Sequence, residues 1–187
     1  MPSSDRETTC TAFAGERRVA AGTRLDVALT LKRDGREENI LVFDDTTGRQ
    51  VDFNLSGSAE DVAAGLAGSA LPRSPGRPKL GVVAREVTLL PRHWEWLGQQ
   101  PGGASAALRR LVDAARKTDA AGERKRQAQA AADRFMMAML GDQPGYEEAA
   151  RALYAGDRAR FRALIASWPA DPKAYLERLA APAFESD

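Results

Sequence analysis

Cysteine and histidine are almost absent from this 187-residue chain, which holds one of each, Cys10 and His93. A single cysteine closes no disulfide within the chain, so the fold needs no oxidising compartment. One cysteine and one histidine also fall short of the ligand set that a zinc site requires. Aromatic residues make up only 6% of the chain. A core must therefore rest on Ala, Leu and Val with a few large anchors. No apolar run approaches the ~20 residues that span a bilayer. The opening stretch MPSSDRETTC carries Asp5 and Glu7 and no apolar segment, unlike a signal peptide. These absences predict a cytoplasmic protein with no membrane partner, no metal and no cofactor. What is present, 43% apolar and 28% charged residues, is an ordinary globular composition.

The net charge of +1 conceals a segregation. Residues 71–136 hold 13 Lys and Arg against 6 Asp and Glu, a surplus of +7. Residues 1–70 hold 8 against 12, and residues 137–187 hold 6 against 8. A basic middle between acidic flanks has two readings. It meets an anionic partner, or it contacts the flanks within the protein.

Three segments emerge along the chain. Residues 1–67 read as a small α+β domain of order ββαββα. "TCTAFAGERRVAAG" gives two strands turning at Gly15-Glu16. Thr23 caps a helix with Asp26 three residues on, Leu25, Ala28, Leu29 and Lys32 share one face, and Asp34-Gly35 stops it. "ILVFDD" reads as a buried strand. "RQVDFNL" alternates, with Val51, Phe53 and Leu55 inward, and reads as a fourth. Ser58 and Asp61 open a second helix from Ala59. Residues 68–81 hold three prolines and three glycines and read as a linker. Within it "SPGRPK" resembles the Gly-Arg-Pro core of an AT-hook, with Pro75 where an Arg usually precedes the Gly; a plain linker is the simpler reading.

Residues 82–187 read as a strand-helix-helix segment followed by a helical bundle. A helix with the stripe Ala128, Ala131, Phe135 and Met139 ends at Gly141. Asp142 and Pro144, then Asp157, then Asp171-Pro172 open three more, the middle one spacing Phe161, Leu164, Ile165 and Trp168.

The segment from Val83 to Lys117 carries the most information. Val83–Leu90 is β-branched and apolar enough for a strand. Pro91 suits the first turn of a helix. Trp94 and Trp96 lie two residues apart, about 200° around a helix, and so point to different sides. A buried Trp hides roughly 150–250 Å², so both helix faces are expected to meet protein, one the helix that follows and the other a second domain or a second chain. "PGGASAALRRLVDAARK" then supplies a turn at Gly102-Gly103, an N-cap at Ser105, an apolar face of Leu108, Leu111, Val112 and Ala115, and basic residues elsewhere.

Residues 84–117 thus resemble a ribbon-helix-helix segment, which implies strands of two chains pairing into a ribbon for the major groove. The larger pattern "GRPKLGVVAREVTLLPRHWEWLGQQPGGASAALRRLVDAARK", preceded by "ILVFDDTTGRQVDFNL" and followed by "SWPAD", is similar to an uncharacterised bacterial domain-of-unknown-function family over nearly the whole chain. No activity is implied by that similarity. The ribbon pattern departs from the usual one: Leu90, Thr88 and Glu86 stand where apolar residues belong, and Leu89 and Val87 where base readers belong. No Arg or Asn faces the groove in either register, so contact with the phosphate backbone is favoured over base reading.

Catalytic chemistry is poorly represented. His93 reads as a surface or capping residue, Asp44-Asp45 as turn carboxylates before "TTG", and Met136, Met137 and Met139 as core filler. The expectation is a non-enzymatic protein that dimerises through residues 83–117, with Val87, Leu89, Trp94 and Trp96 at the contact. DNA or RNA is held by Arg77, Lys79, Arg85, Arg92, Arg109 and Arg110. The alternative is a protein-interaction module without nucleic acid. A third reading, an enzyme, requires a pocket gathering His93, Asp44 and Asp45; no small-molecule ligand is identifiable.

Overall fold

The computed structural model describes residues 8–35, 39–68 and 85–185. It is a mixed α+β fold, as the patterning predicts. A three-stranded antiparallel sheet is followed almost entirely by helices. The chain divides into two compact units, residues 1–70 with 124–187, and residues 71–123.

In the first unit, β1 (Thr9–Ala14) lies between β2 (Arg17–Thr23) and β3 (Ile40–Asp44). Both pairings are antiparallel, and a bulge between Ala12 and Phe13 offsets the β2 register. Alternation along β1 then assigns the two faces. Cys10 and Ala12 face one core with Val27, Leu31 and Val42. Phe13 faces a larger core with Phe43, Phe135, Leu153, Phe161, Trp168 and Tyr175.

Helix α1 (Arg24–Arg33) closes the smaller core. Its cap is as predicted: the Thr23 hydroxyl accepts from the Asp26 amide at 3.2 Å and donates to the Asp26 carboxylate at 2.7 Å. Its buried face is Val27, Ala28 and Leu31, not the predicted row through Leu25, which is exposed. Val27 and Leu31 lie four residues apart, the spacing that fits them against β1 and β3.

The predicted fourth strand is absent. Gln50 makes a single bridge to Phe43, and the Val51 amide donates to the Val42 carbonyl at 2.8 Å. Residues 51–56 then leave the sheet. The alternation read from "RQVDFNL" is still real, because Phe53 and Leu55 pack on the smaller core while Asp52 and Asn54 are exposed. Burial periodicity reports which side faces the core, not whether a ladder forms. Helix α2 (Ala59–Gly68) opens on the predicted reciprocal pair, Ser58 amide to Asp61 carboxylate at 2.8 Å and Asp61 amide to Ser58 hydroxyl at 3.2 Å.

The larger core is roofed by α5 (Ala120–Met139, of which residues from Arg124 belong to this unit), α6 (Tyr146–Ala155), α7 (Arg158–Leu164) and α8 (Ala170–Ala180). Gly145, left-handed at φ 77°, opens α6 rather than the predicted Asp142 and Pro144. Asp157 caps α7 as predicted, accepting from the Arg160 amide at 2.9 Å. The first turn of α8 holds Asp171, whose carboxylate accepts the Arg18 amide of β2 at 2.9 Å.

Candidate association surface

The second unit is built on a helical hairpin. Residues 85–90 carry no regular secondary structure and join no ladder. The predicted strand is therefore not found over these residues, and Val83 and Ala84 lie outside the described ones. Leu90 is extended (φ −66°, ψ 150°), as a residue before proline must be, and Pro91 takes the first position of α3 (Pro91–Gly98). Helix α4 (Gly103–Thr118) follows a tight turn. Gly102 and Gly103 hold φ of 82° and 75°. This reversal starts α4 two residues before Ser105, so the N-cap is Gly102, with no side-chain cap, rather than the predicted Ser105, which falls inside the first turn.

Arg110 fastens the turn, its guanidinium donating to the Pro101 carbonyl at 2.9 Å. Leu97 and Ala107 are the buried side chains of the two helices. Ala107 lies in the N-terminal half of α4, and every residue from Arg109 to Asp119 is exposed.

Nine large apolar side chains are exposed among the described residues, and six of them are Val87, Leu90, Trp94, Trp96, Leu111 and Val112. Each of the six shows 44–54% of its surface. Six of nine within 26 residues is a concentration that scattered surface hydrophobes do not produce. Leu89 of the predicted contact is half-buried. Arg85, Arg92 and Arg109 are exposed, and Arg109 keeps one bond, to the Ser105 carbonyl at 3.1 Å. Arg77 and Lys79 lie outside the described residues.

The other unit places its predicted carboxylates at the end of β3. Asp44 accepts the Thr46 amide at 3.0 Å and the Thr47 amide and hydroxyl, each at 2.8 Å. That is turn chemistry, as predicted. Asp45 accepts the Thr11 hydroxyl at 2.8 Å and the Arg178 guanidinium at 3.1 Å, and Arg178 also reaches the Thr11 oxygen at 3.2 Å. This cluster, which the sequence reading missed, ties the sheet to α8. Its signal was a threonine at an inward β1 position, which needs a partner once buried. Tyr175 lies beneath the Arg178 guanidinium, 4.9 Å from its ring centroid, with a buried hydroxyl that makes no hydrogen bond. Burial, then the nearby Asp45 charge, push its phenol well above the usual range. Burial, then Asp45, push the Cys10 thiol up to about 11, so it is not a thiolate nucleophile at neutral pH.

A family model described as "Uncharacterized protein conserved in bacteria (DUF2239)" matches residues 9–180. The chain belongs to the DUF2239 family. No curated protein and no solved structure matches it. The ribbon-helix-helix resemblance is not confirmed.

In this DUF2239 chain the predicted residues fall in separate places. His93 is exposed in the first turn of α3, in the hairpin unit, whereas Asp44 and Asp45 belong to the sheet unit. Among the described residues no group of three or more His, Cys, Asp or Glu is placed to hold a metal ion. Nor is any helix among them long and apolar enough to cross a membrane.

Proposed function

We propose that this DUF2239 protein is a non-enzymatic cytoplasmic protein that self-associates through residues 83–117 and holds nucleic acid by its phosphodiester backbone. The concentration of exposed apolar side chains between Val87 and Val112 carries this reading. Leaving two tryptophans half in water forfeits on the order of 2–3 kcal/mol each, which a partner restores. Arg85, Arg92 and Arg109 supply the backbone contacts, with Arg77 and Lys79 adding charge from the preceding segment. Arg110, whose guanidinium holds the turn, contributes less than the sequence suggests.

A second reading, a protein-interaction module without nucleic acid, is favoured by one observation. Residues 85–123 hold 6 basic against 5 acidic residues, so the surplus of the basic middle lies mostly outside the hairpin.

Light scattering combined with a duplex-DNA shift assay over a salt series separates the two. With about five phosphates engaged, log K falls against log[salt] with a slope near −4. A dimer that shifts no DNA at low salt, or shifts it independently of salt, establishes the second reading. A monomer at every concentration overturns self-association.

A further inference from the structure

Between Gly103 and Met139 the chain is helical except at one residue, Asp119, where α4 ends and α5 begins. Asp119 stands at φ −113° and ψ 34°, against a ψ of about −42° in a regular helix. The ladder reaches it from both sides. Its amide donates to the Ala115 carbonyl at 2.9 Å, and its carbonyl accepts the Glu123 amide at 2.9 Å. The break therefore gives up only rungs that straddle Asp119, such as the one from the Ala120 amide to the Arg116 carbonyl. Rotation about a single ψ separates the broken run from a continuous one.

Local chemistry holds the break in place. An Asp just before a helix accepts an amide from the second or third helical residue. Asp119 stands just before α5, and Gly122 is the third residue of that helix. The Asp119 carboxylate lies against Gly122, so that a β-carbon built there would overlap Oδ1. Alanine, the better helix former, is thus excluded at position 122 while Asp119 caps. Tertiary packing does not impose the break. Among the described residues no side chain is buried between Ala107 and Ala128. The neighbouring Thr118 hydroxyl turns back into α4, donating to the Ala114 carbonyl at 3.0 Å.

We infer that Asp119 and Gly122 form a two-state joint: with the Asp119 carboxylate over Gly122, α4 and α5 run as two helices, and with it withdrawn they run as one from Gly103 to Met139. The two forms lie close in free energy. The broken form gains a cap, whereas the continuous form regains rungs in a segment without buried side chains. A cap and such a rung are of similar worth. Gly122 weighs against the continuous form, because only proline is a poorer helix former. A partner that binds one form of the run more tightly shifts the balance by that preference. The joint is independent of whether the chain self-associates.

The test uses the full chain and three variants, read by the α-carbon chemical shift at position 119 and the exchange rate of the Ala120 amide. Asp119→Asn keeps a capping side chain. It is expected to match the parent, with a non-helical shift at 119 and a fast-exchanging Ala120 amide. Asp119→Ala deletes the cap, and Gly122→Ala displaces it by collision. Each is expected to move the shift at 119 to the helical range, to slow Ala120 exchange about tenfold and to strengthen the helical circular dichroism. Protected amides over residues 131–136 confirm that each variant is folded, and either alanine variant decides the matter if the other unfolds. A helical shift at 119 in the parent overturns the joint. So does a folded alanine variant that keeps the parental shift and exchange rate.

Discussion

Gly48 lies against the main chain of α5: a β-carbon built on it would overlap the Ala131 carbonyl. Its φ of 64° already disfavours any side chain. The contact is reinforced next door, where the Arg134 guanidinium donates to the Thr47 carbonyl at 2.7 Å. The "DDTTG" turn is therefore a packing surface as well as a reversal. Gly48→Ala is expected to destabilise the fold by about 2–4 kcal/mol, combining left-handed strain with a forced backbone shift. Urea denaturation checks it; a loss below about 1 kcal/mol contradicts the close approach.

Gln129 is buried on α5 and donates from Nε2 to the Leu153 carbonyl at 3.1 Å and the Tyr154 carbonyl at 3.3 Å. Both acceptors lie in the last turn of α6, where the Leu153 carbonyl also accepts the Gly156 amide at 3.1 Å. Gln129→Met keeps the volume and removes both bonds, leaving the Tyr154 carbonyl without this donor while the Leu153 carbonyl keeps the Gly156 amide, so a loss of about 1–3 kcal/mol is expected by thermal or chemical denaturation. Gln129→Asn, too short to reach, is expected to behave similarly.

The Tyr175 hydroxyl makes the opposite forecast. A buried donor without a partner contributes desolvation cost and no bond. Tyr175→Phe is expected to change stability by less than about 0.5 kcal/mol or to raise it, since the ring retains its contacts with Phe13 and Phe135. Asp45→Asn, which discharges the anchor of Thr11 and Arg178, is expected to cost about 1–3 kcal/mol. A Tyr175→Phe penalty as large as that of Asp45→Asn refutes the idle hydroxyl.

Cys10 yields a pH signature. Its thiol is raised from 9.0 to about 11 in the folded chain. The folded state therefore holds the proton more tightly than the unfolded one. The stability from this group is fully present below about pH 9 and is lost as pH climbs through about 11. Parent and Cys10→Ala stability curves are expected to run parallel at neutral pH and converge between those values. Parallel curves throughout the alkaline range overturn it, as does rapid native-state alkylation at pH 8.

Local punctuation was the most legible feature in the sequence. Thr23-Asp26, Ser58-Asp61, Pro91 and Asp157 each act where their chemistry says, because a cap or a fixed φ is decided within one turn of chain. Tertiary pairing was much less legible. Val51–Leu55 alternates like a strand yet leaves the ladder after one bridge, and nothing in the sequence brings Thr11 to Arg178 across 167 positions. The hairpin was recognisable as two helices about a glycine turn, but the placement of its tryptophans was not: one was expected against the following helix, and both are exposed. The Arg110 bond to Pro101 was not legible, since a guanidinium on a helix looks equally available whether or not the preceding turn has claimed it.

The account depends most on whether the apolar stripe of residues 87–115 meets a second copy of the chain. Sedimentation equilibrium of the full chain from low to high micromolar concentration, beside Leu111→Glu, measures this directly. The expected result is twice the chain mass for the parent and the chain mass for the variant, with unchanged helicity. A parent that stays at the chain mass throughout contradicts it.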